Sequence, residues 1–226
     1  MTGNMTDAAA MADRVRAGNR HAVARSLTLL ERGGSEGRAV ADLLFGCSGR
    51  AITVGVTGPP GVGKSTLVDA LTASLRNSGA TVAVLAIDPS SPWSHGALLG
   101  DRIRLRRHYT DPGVFIRSVS SRGRLGGLAD VAQGSVRLLD AAGFDIVIVE
   151  TVGIGQAEID VARLADCVVL VTVPGAGDQI QAAKSGVMEV ADVFVVNRGD
   201  DPRATGTVAE LEGVLHLRRG TATRPV

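Results

Sequence analysis

The run Ile52-Thr53-Val54-Gly55-Val56-Thr57 passes without a break into Gly58-Pro59-Pro60-Gly61-Val62-Gly63-Lys64-Ser65-Thr66. Six residues rich in β-branched side chains read as a strand. The helical pattern Lys64–Asn77 follows at once. Between them Gly58–Ser65 satisfies G-x-x-x-x-G-K-[ST], and strand, loop and helix stand in the register that this pattern requires. The chemistry depends on those residue types. Glycines let successive backbone N–H groups curl round phosphate oxygens, and a helix N-terminus adds partial positive charge. Lys64 reaches the β- and γ-phosphates of a nucleoside triphosphate, and the Ser65 hydroxyl joins the shell of Mg²⁺. A glycine-rich turn without a ligand is the bland alternative, and it leaves that register unexplained.

Downstream, short apolar runs alternate with helical stretches. Strands are expected at Ile52–Thr57, Thr81–Asp88, Val114–Val119, Phe144–Glu150, Cys167–Val173 and Val193–Asn197. Helices are expected at Lys64–Asn77, Leu98–His108, Leu128–Ala142, Gln156–Leu164, Ile180–Val190 and Val208–Leu217. Strands apolar throughout and separated by helices imply an α/β fold, a P-loop NTPase with a mostly parallel sheet covered by helices on both faces. Upstream, residues 8–46 carry apolar positions at helical spacing, broken at Gly18 and Gly33-Gly34, and read as two or three short helices capping the domain. The expected division is an N-terminal helical segment over 1–46, a P-loop domain over 51–217 and a disordered tail over 218–226.

Composition narrows the class. The 226 residues are 45% hydrophobic with 29 glycines and a net charge of +1, which gives no global footprint for nucleic acid or an anionic membrane. Cys47 and Cys167 show no metal or disulfide spacing. No apolar run approaches the ~20 residues that span a bilayer, and the N-terminus has no signal-peptide pattern; the expectation is a cytoplasmic protein. Only two of the 24 basic residues are lysine, Lys64 and Lys184.

Further candidates fall at strand ends, where open α/β sheets bind ligands. Asp145-Ile146-Val147-Ile148-Val149-Glu150 ends in a carboxylate that would hold a Mg²⁺-bound water, and the Gly153 amide would meet the γ-phosphate. Asp88 and Asp101 either approach the metal or the attacking water, or serve as a turn former before Pro89 and a helix-start charge. Asn197-Arg198-Gly199-Asp200 matches the guanine motif N-K-x-D with Arg for Lys, or is an ordinary polar turn. In the motif Asp accepts from the guanine N1 and N2 groups, Asn touches the base edge, and the stem between them covers the ring. Arg and Lys are not equivalent there. Arg122 and Arg124 either contact phosphate or a partner or are solvated. His21, His95, His108 and His216 have no ligand spacing.

The chain resembles the MeaB/ArgK group of cobalamin-chaperone GTPases associated with methylmalonyl-CoA mutase. The segments that carry the likeness are GVTGPPGVGKSTL, VLAIDPSSPWSHGALLGDRIRL, RSVSSRGRLGGL, FDIVIVETVGIGQAEIDVARLAD, VTVPGAGDQIQAAKSGVMEVADVFVVN and NRGD, over about residues 8–217. The resemblance implies a Mg²⁺-dependent GTPase whose cycle gates adenosylcobalamin delivery to the mutase and protects it. Asp88, Asp101 and Glu150 become metal and switch residues alongside Ser65, while Gln156 and Lys184 belong to switches that respond to the partner; a homodimer is also implied. Arg198 departs from the family, as do Trp93 and His95 after the SSP turn. The family continues for roughly a hundred residues beyond the base motif, so an edge strand and one wall of the guanine pocket are expected to be absent. Competing readings are a transport-linked kinase of the ArgK type, a nucleotide-binding module without turnover, and a nickel-insertion GTPase.

Overall fold

A computed structural model describes residues 2–47, 49–88, 105–120, 127–151, 164–175 and 187–219. The helices α1 (Thr2–Arg16), α2 (Arg20–Arg32) and α3 (Ser35–Leu44) come first. They are followed by β1 (Ile52–Thr57), α4 (Lys64–Asn77), β2 (Val82–Asp88), β3 (Val114–Ser120), α5 (Gly127–Ala141), β4 (Ile146–Thr151), β5 (Cys167–Thr172), the short α6 (Val187–Val190), β6 (Val193–Val196) and α7 (Ala204–Arg219). The glycines break the N-terminal helices where the sequence implies. Asn19 starts α2 by accepting the Ala22 amide at 2.9 Å, and Gly33 and Gly34, both at positive φ, separate α2 from α3.

The six strands form one sheet in the order β3-β2-β4-β1-β5-β6, and every pairing is parallel, so "mostly parallel" becomes wholly parallel. β1 lies inside the sheet between β4 and β5, which puts the loop at its carboxyl end among the ends of its neighbours. Alternate residues feed two different layers. Ala83, Leu85, Ile87, Val147 and Val149 face a core shared with Val15, Val23, Leu27, Val40 and Leu44 of α1–α3 and with Leu138 and Leu139 of α5. Val82, Val84, Ile148 and Val56 face the other way, towards Val68, Leu71 and Leu75 of α4. A smaller cluster joins Val168, Leu170, Phe194 and Val196 to Met188 and Leu211. The N-terminal helices therefore cover one face of the sheet alongside α5 and share its principal core.

An aspartate precedes each of the last three strands and ties down a neighbouring strand. Asp145 accepts the Thr81 amide at 2.7 Å, Asp166 the Thr53 amide at 2.8 Å, and Asp192 the Val168 amide at 2.9 Å. These bonds set the register at the amino edge of the sheet and leave the carboxyl edge to the ligand-binding loops.

Two expectations differ where residues are described, and two others are barely covered by them. Of the helix expected over Leu98–His108, the described part is a turn at Leu105 and a 3₁₀ turn over Arg106–His108. Arg107 and His108 both reach back to Asp69 of α4, with Arg107 Nη2 at 2.7 Å and His108 Nε2 at 3.1 Å from the carboxylate. α7 runs to Arg219 and takes in the first two residues of the expected tail. The helix expected over Gln156–Leu164 lies outside the described residues except for Leu164, and that over Ile180–Val190 is described only as α6. Among the described residues no helix is long and apolar enough to cross a membrane.

Candidate functional site

The loop leaving β1 is shaped by close packing as well as by its φ angles. Gly58 sits at φ 139°, Gly61 at 80° and Gly63 at 93°, all positions that L side chains rarely adopt. A Cβ on Gly58 would drive into the Val171 carbonyl of β5, and one on Gly63 into the side-chain amide of Asn197. Gly61 has open space. Beneath the loop the hydroxyls of Thr57 and Thr151 meet at 3.2 Å, fully buried, and join the carboxyl ends of β1 and β4.

Two charged groups are buried beside it. Lys64 is 6% exposed, and its Nζ donates to the carbonyls of Gly58 at 2.7 Å and Pro59 at 3.0 Å, holding the ammonium inside the curve of the loop. Ser65 Oγ donates to Glu150 Oε1 at 2.6 Å, with Ser65 5% and Glu150 3% exposed. α4 opens at Lys64, so its first amides look to acceptors outside the helix. The site thus combines a concave arc of backbone with a cation, and a hydroxyl in contact with a carboxylate. The first pair suits phosphate. The second is a hard-oxygen donor set of the kind that Mg²⁺ takes, with few protein ligands and the rest from phosphate and water.

The other side of the loop is closed by the base-motif candidates. Asn197 Nδ2 donates to the Val62 carbonyl at 2.8 Å, and Arg198 Nη2 lies 3.4 Å from the Gly61 carbonyl. Arg198 is the one non-glycine at positive φ among the described residues, at 56°. Asp200 occupies the exposed turn that follows. Asp88 ends β2 in register with Ser120 of β3. The structure thus brings together the loop Gly58–Thr66, Glu150, Asn197 and Arg198. Asp101, Gly153, Gln156 and Lys184 lie outside the described residues, as do Trp93, His95, Arg122 and Arg124.

Two features were missed in the sequence. Asn197 braces the phosphate loop, besides any contact with a base. The other is the Thr57–Thr151 pair, although Thr57 ends one expected strand and Thr151 directly follows another.

Residues 23–224 match the family described as methylmalonyl Co-A mutase-associated GTPase MeaB. A protein of Pyrococcus abyssi named as a GTPase is 52% identical over 205 residues, covering 91% of this chain and 63% of its own length. GTPase ArgK of Escherichia coli is 41% identical over 213 residues, covering 91% of this chain and 64% of its own length. The solved structure of a LAO/AO transport system kinase superposes with a TM-score of 0.73 at 34% identity, covering 97% of this chain and 65% of that one. The chain therefore has a P-loop NTPase fold and spans a little under two thirds of the length of these relatives.

Proposed function

The chain belongs to the methylmalonyl Co-A mutase-associated GTPase MeaB family, and from that premise we propose that it binds GTP with Mg²⁺ and hydrolyses it slowly in the service of a cobalamin-dependent mutase. The observation that carries this reading is the buried Ser65–Glu150 contact beside the Lys64-filled loop. It supports a cation-binding oxygen pair beside a phosphate cradle. On binding, Lys64 exchanges its bonds to the Gly58 and Pro59 carbonyls for bonds to phosphate oxygens, and the loop amides hold the remaining charge. Bound Mg²⁺ would be held by Ser65 and Glu150, with Asp88 and Asp101 as further carboxylates, and would neutralise charge developing on the phosphates. The Gly153 amide meets the γ-phosphate, while Asn197, Arg198 and Asp200 select guanine. Catalysis of this kind rests on positioning and charge neutralisation.

The proposed setting is cytoplasmic. In it the nucleotide cycle, sensed through Gln156 and Lys184, gates adenosylcobalamin delivery to methylmalonyl-CoA mutase or a related mutase, with the chaperone acting as a homodimer. The family name supports the mutase and GTPase parts of this reading. The name of the matched transport-system kinase supports a second reading, transfer of the γ-phosphoryl group to an acceptor other than water.

Equilibrium binding of GTP and ATP, with and without Mg²⁺, tests the reading together with the fate of labelled γ-phosphate. Expected are tighter binding of GTP than ATP, dependence on Mg²⁺ and label released as free phosphate. Label retained on protein or arginine overturns it in favour of a kinase, and binding without release marks a module without turnover.

A further inference from the structure

The loop after β6 is fixed at both of its ends to the chain leaving β5. At its start, the Asn197 amide donates to the Thr172 carbonyl at 2.8 Å. At its far end, Asp201 takes the backbone N–H of Arg203 at 2.9 Å, its Nε at 3.0 Å and its Nη2 at 2.7 Å. That bidentate grip lays the guanidinium against Gly175, so close that a Cβ there would sit 2.9 Å from Arg203 Nη1. Gly175, at φ 77°, donates its amide to Thr207 Oγ1 at 3.2 Å. Thr207 stands one turn into α7 and is 5% exposed. The loop carrying Asn197, Arg198 and Asp200 thus hangs between two anchors on the β5 exit, Thr172 upstream and Gly175 downstream.

We propose that Thr207 and Arg203 are positioning residues for nucleobase selection. By fastening α7 to Gly175 they hold Asp200 at a fixed distance from the phosphate loop, while Asn197 is held by its own bonds to Thr172 and Val62. The argument is geometric. Guanine is distinguished from adenine by short, directional hydrogen bonds, which weaken steeply when donor and acceptor drift by a few tenths of an ångström. Asn197 is already held by Val62, so the freer end of the motif is the Asp200 side, and that side leans on Thr207 and Arg203. Phosphate binding draws on Lys64 and the loop amides and does not pass through this latch. The inference rests on the guanine reading of the motif, and the test separates the two.

The experiment compares GTP and ATP affinity with Mg²⁺ for the whole chain and for Thr207→Val, Thr207→Ser, Arg203→Ala and Gly175→Ala. Thr207→Val keeps the shape and removes the acceptor. Its GTP affinity is expected to fall about tenfold, the scale of one lost hydrogen bond, while ATP affinity moves less than twofold. Thr207→Ser should restore the preference, and Arg203→Ala and Gly175→Ala should lower it. A selective wild type whose preference survives in Thr207→Val overturns the proposal, as does an equal loss of both nucleotides, which marks a merely structural role. A wild-type chain with no preference overturns the guanine reading itself.

Discussion

The loop glycines separate two reasons for needing glycine, and a single methyl group tells them apart. Gly61 has a left-handed φ and open space, so Gly61→Ala should cost only the conformational strain, about 1 to 2 kcal/mol. Gly58 has the same kind of φ and also abuts the Val171 carbonyl, so Gly58→Ala should cost about 3 kcal/mol or more, because backbone must move. Urea unfolding of the two variants checks this, and equal losses would refute the close-packing account. A second contrast lies at the Glu31–Arg117 pair. Glu31 is 5% exposed and accepts from Arg117 Nη2 at 3.3 Å, while the same nitrogen donates to Thr28 Oγ1 at 3.0 Å. Removing only the cation, as in Arg117→Met, takes the ion pair away from a buried carboxylate and should cost about 2 to 4 kcal/mol. Glu31→Gln together with Arg117→Met should recover much of that by leaving no charge behind. At this scale the phosphate loop was legible because its residue types are dictated by one local geometry. The bracing role of Asn197 was not, since Val62 lies 135 positions away in the chain.

Elements were legible where a run of apolar residues meets a glycine or an aspartate. β1 and α4 fall where the pattern puts them, and the other strands differ by a residue or two at their ends. Of the helix expected over Leu98–His108 only the end is described, and there Arg106–His108 form a 3₁₀ turn. That turn is tied to α4 by the contacts of Arg107 and His108 with Asp69, which no local pattern announces. The strand-leading aspartates were visible as Phe144-Asp145, Ala165-Asp166 and Ala191-Asp192, each before an apolar run, yet nothing local says which amide each one accepts. Asp145, together with Asp111 and Asp201, also makes stability depend on pH. The Thr81 amide and then its hydroxyl hold the Asp145 carboxyl below the usual carboxylate range; Asp111 is lowered first by the Arg76 guanidinium and then by the Gly113 amide. Arg203, through its side chain and then its backbone amide, brings Asp201 down to about 2. For a depressed carboxylate the stabilisation is fully present above the unfolded value of about 4 and is lost as pH falls through the folded value. The stability advantage of wild type over Asp145→Asn should therefore hold from pH 7 to about 4 and shrink below that. Chemical unfolding at stepped pH measures it, and a gap unchanged at pH 2.5 would rule out the charged bond as its source.

At the scale of the molecule, the question is whether residues 1–46 are an appendage or a layer of the fold. The core argues for a layer. Ala12, Val15, Leu27, Val40 and Leu44 are buried in the same cluster as Leu85, Val147 and Val149 from the sheet and Leu139 from α5. Arg20 adds bonds from α2 to the carbonyls of Pro112 at 2.9 Å and Val114 at 2.5 Å, and so covers the start of the edge strand β3. Asp140 of α5 accepts the amides of Gly49, Arg50 and Ala51, which pins the connection into β1 from the same side. Among the described residues, the N-terminal helices are joined to the phosphate loop through α5 and the sheet it covers. A fragment beginning at residue 51 would expose the apolar face of β2 and β4 and the inner side of α5, a patch large enough to drive association. Expressed alone, residues 51–219 should aggregate or unfold without a cooperative transition. The whole chain should melt in one transition, with calorimetric and van't Hoff enthalpies in agreement. Two resolved transitions, or a soluble 51–219 fragment that still binds nucleotide, would show that the helices are an appendage. Ligand linkage sharpens the test: if the core is shared, saturating GTP should raise the melting temperature of the N-terminal helices together with that of the sheet. Followed by hydrogen exchange at Leu27 and Val149, the two should gain protection in parallel.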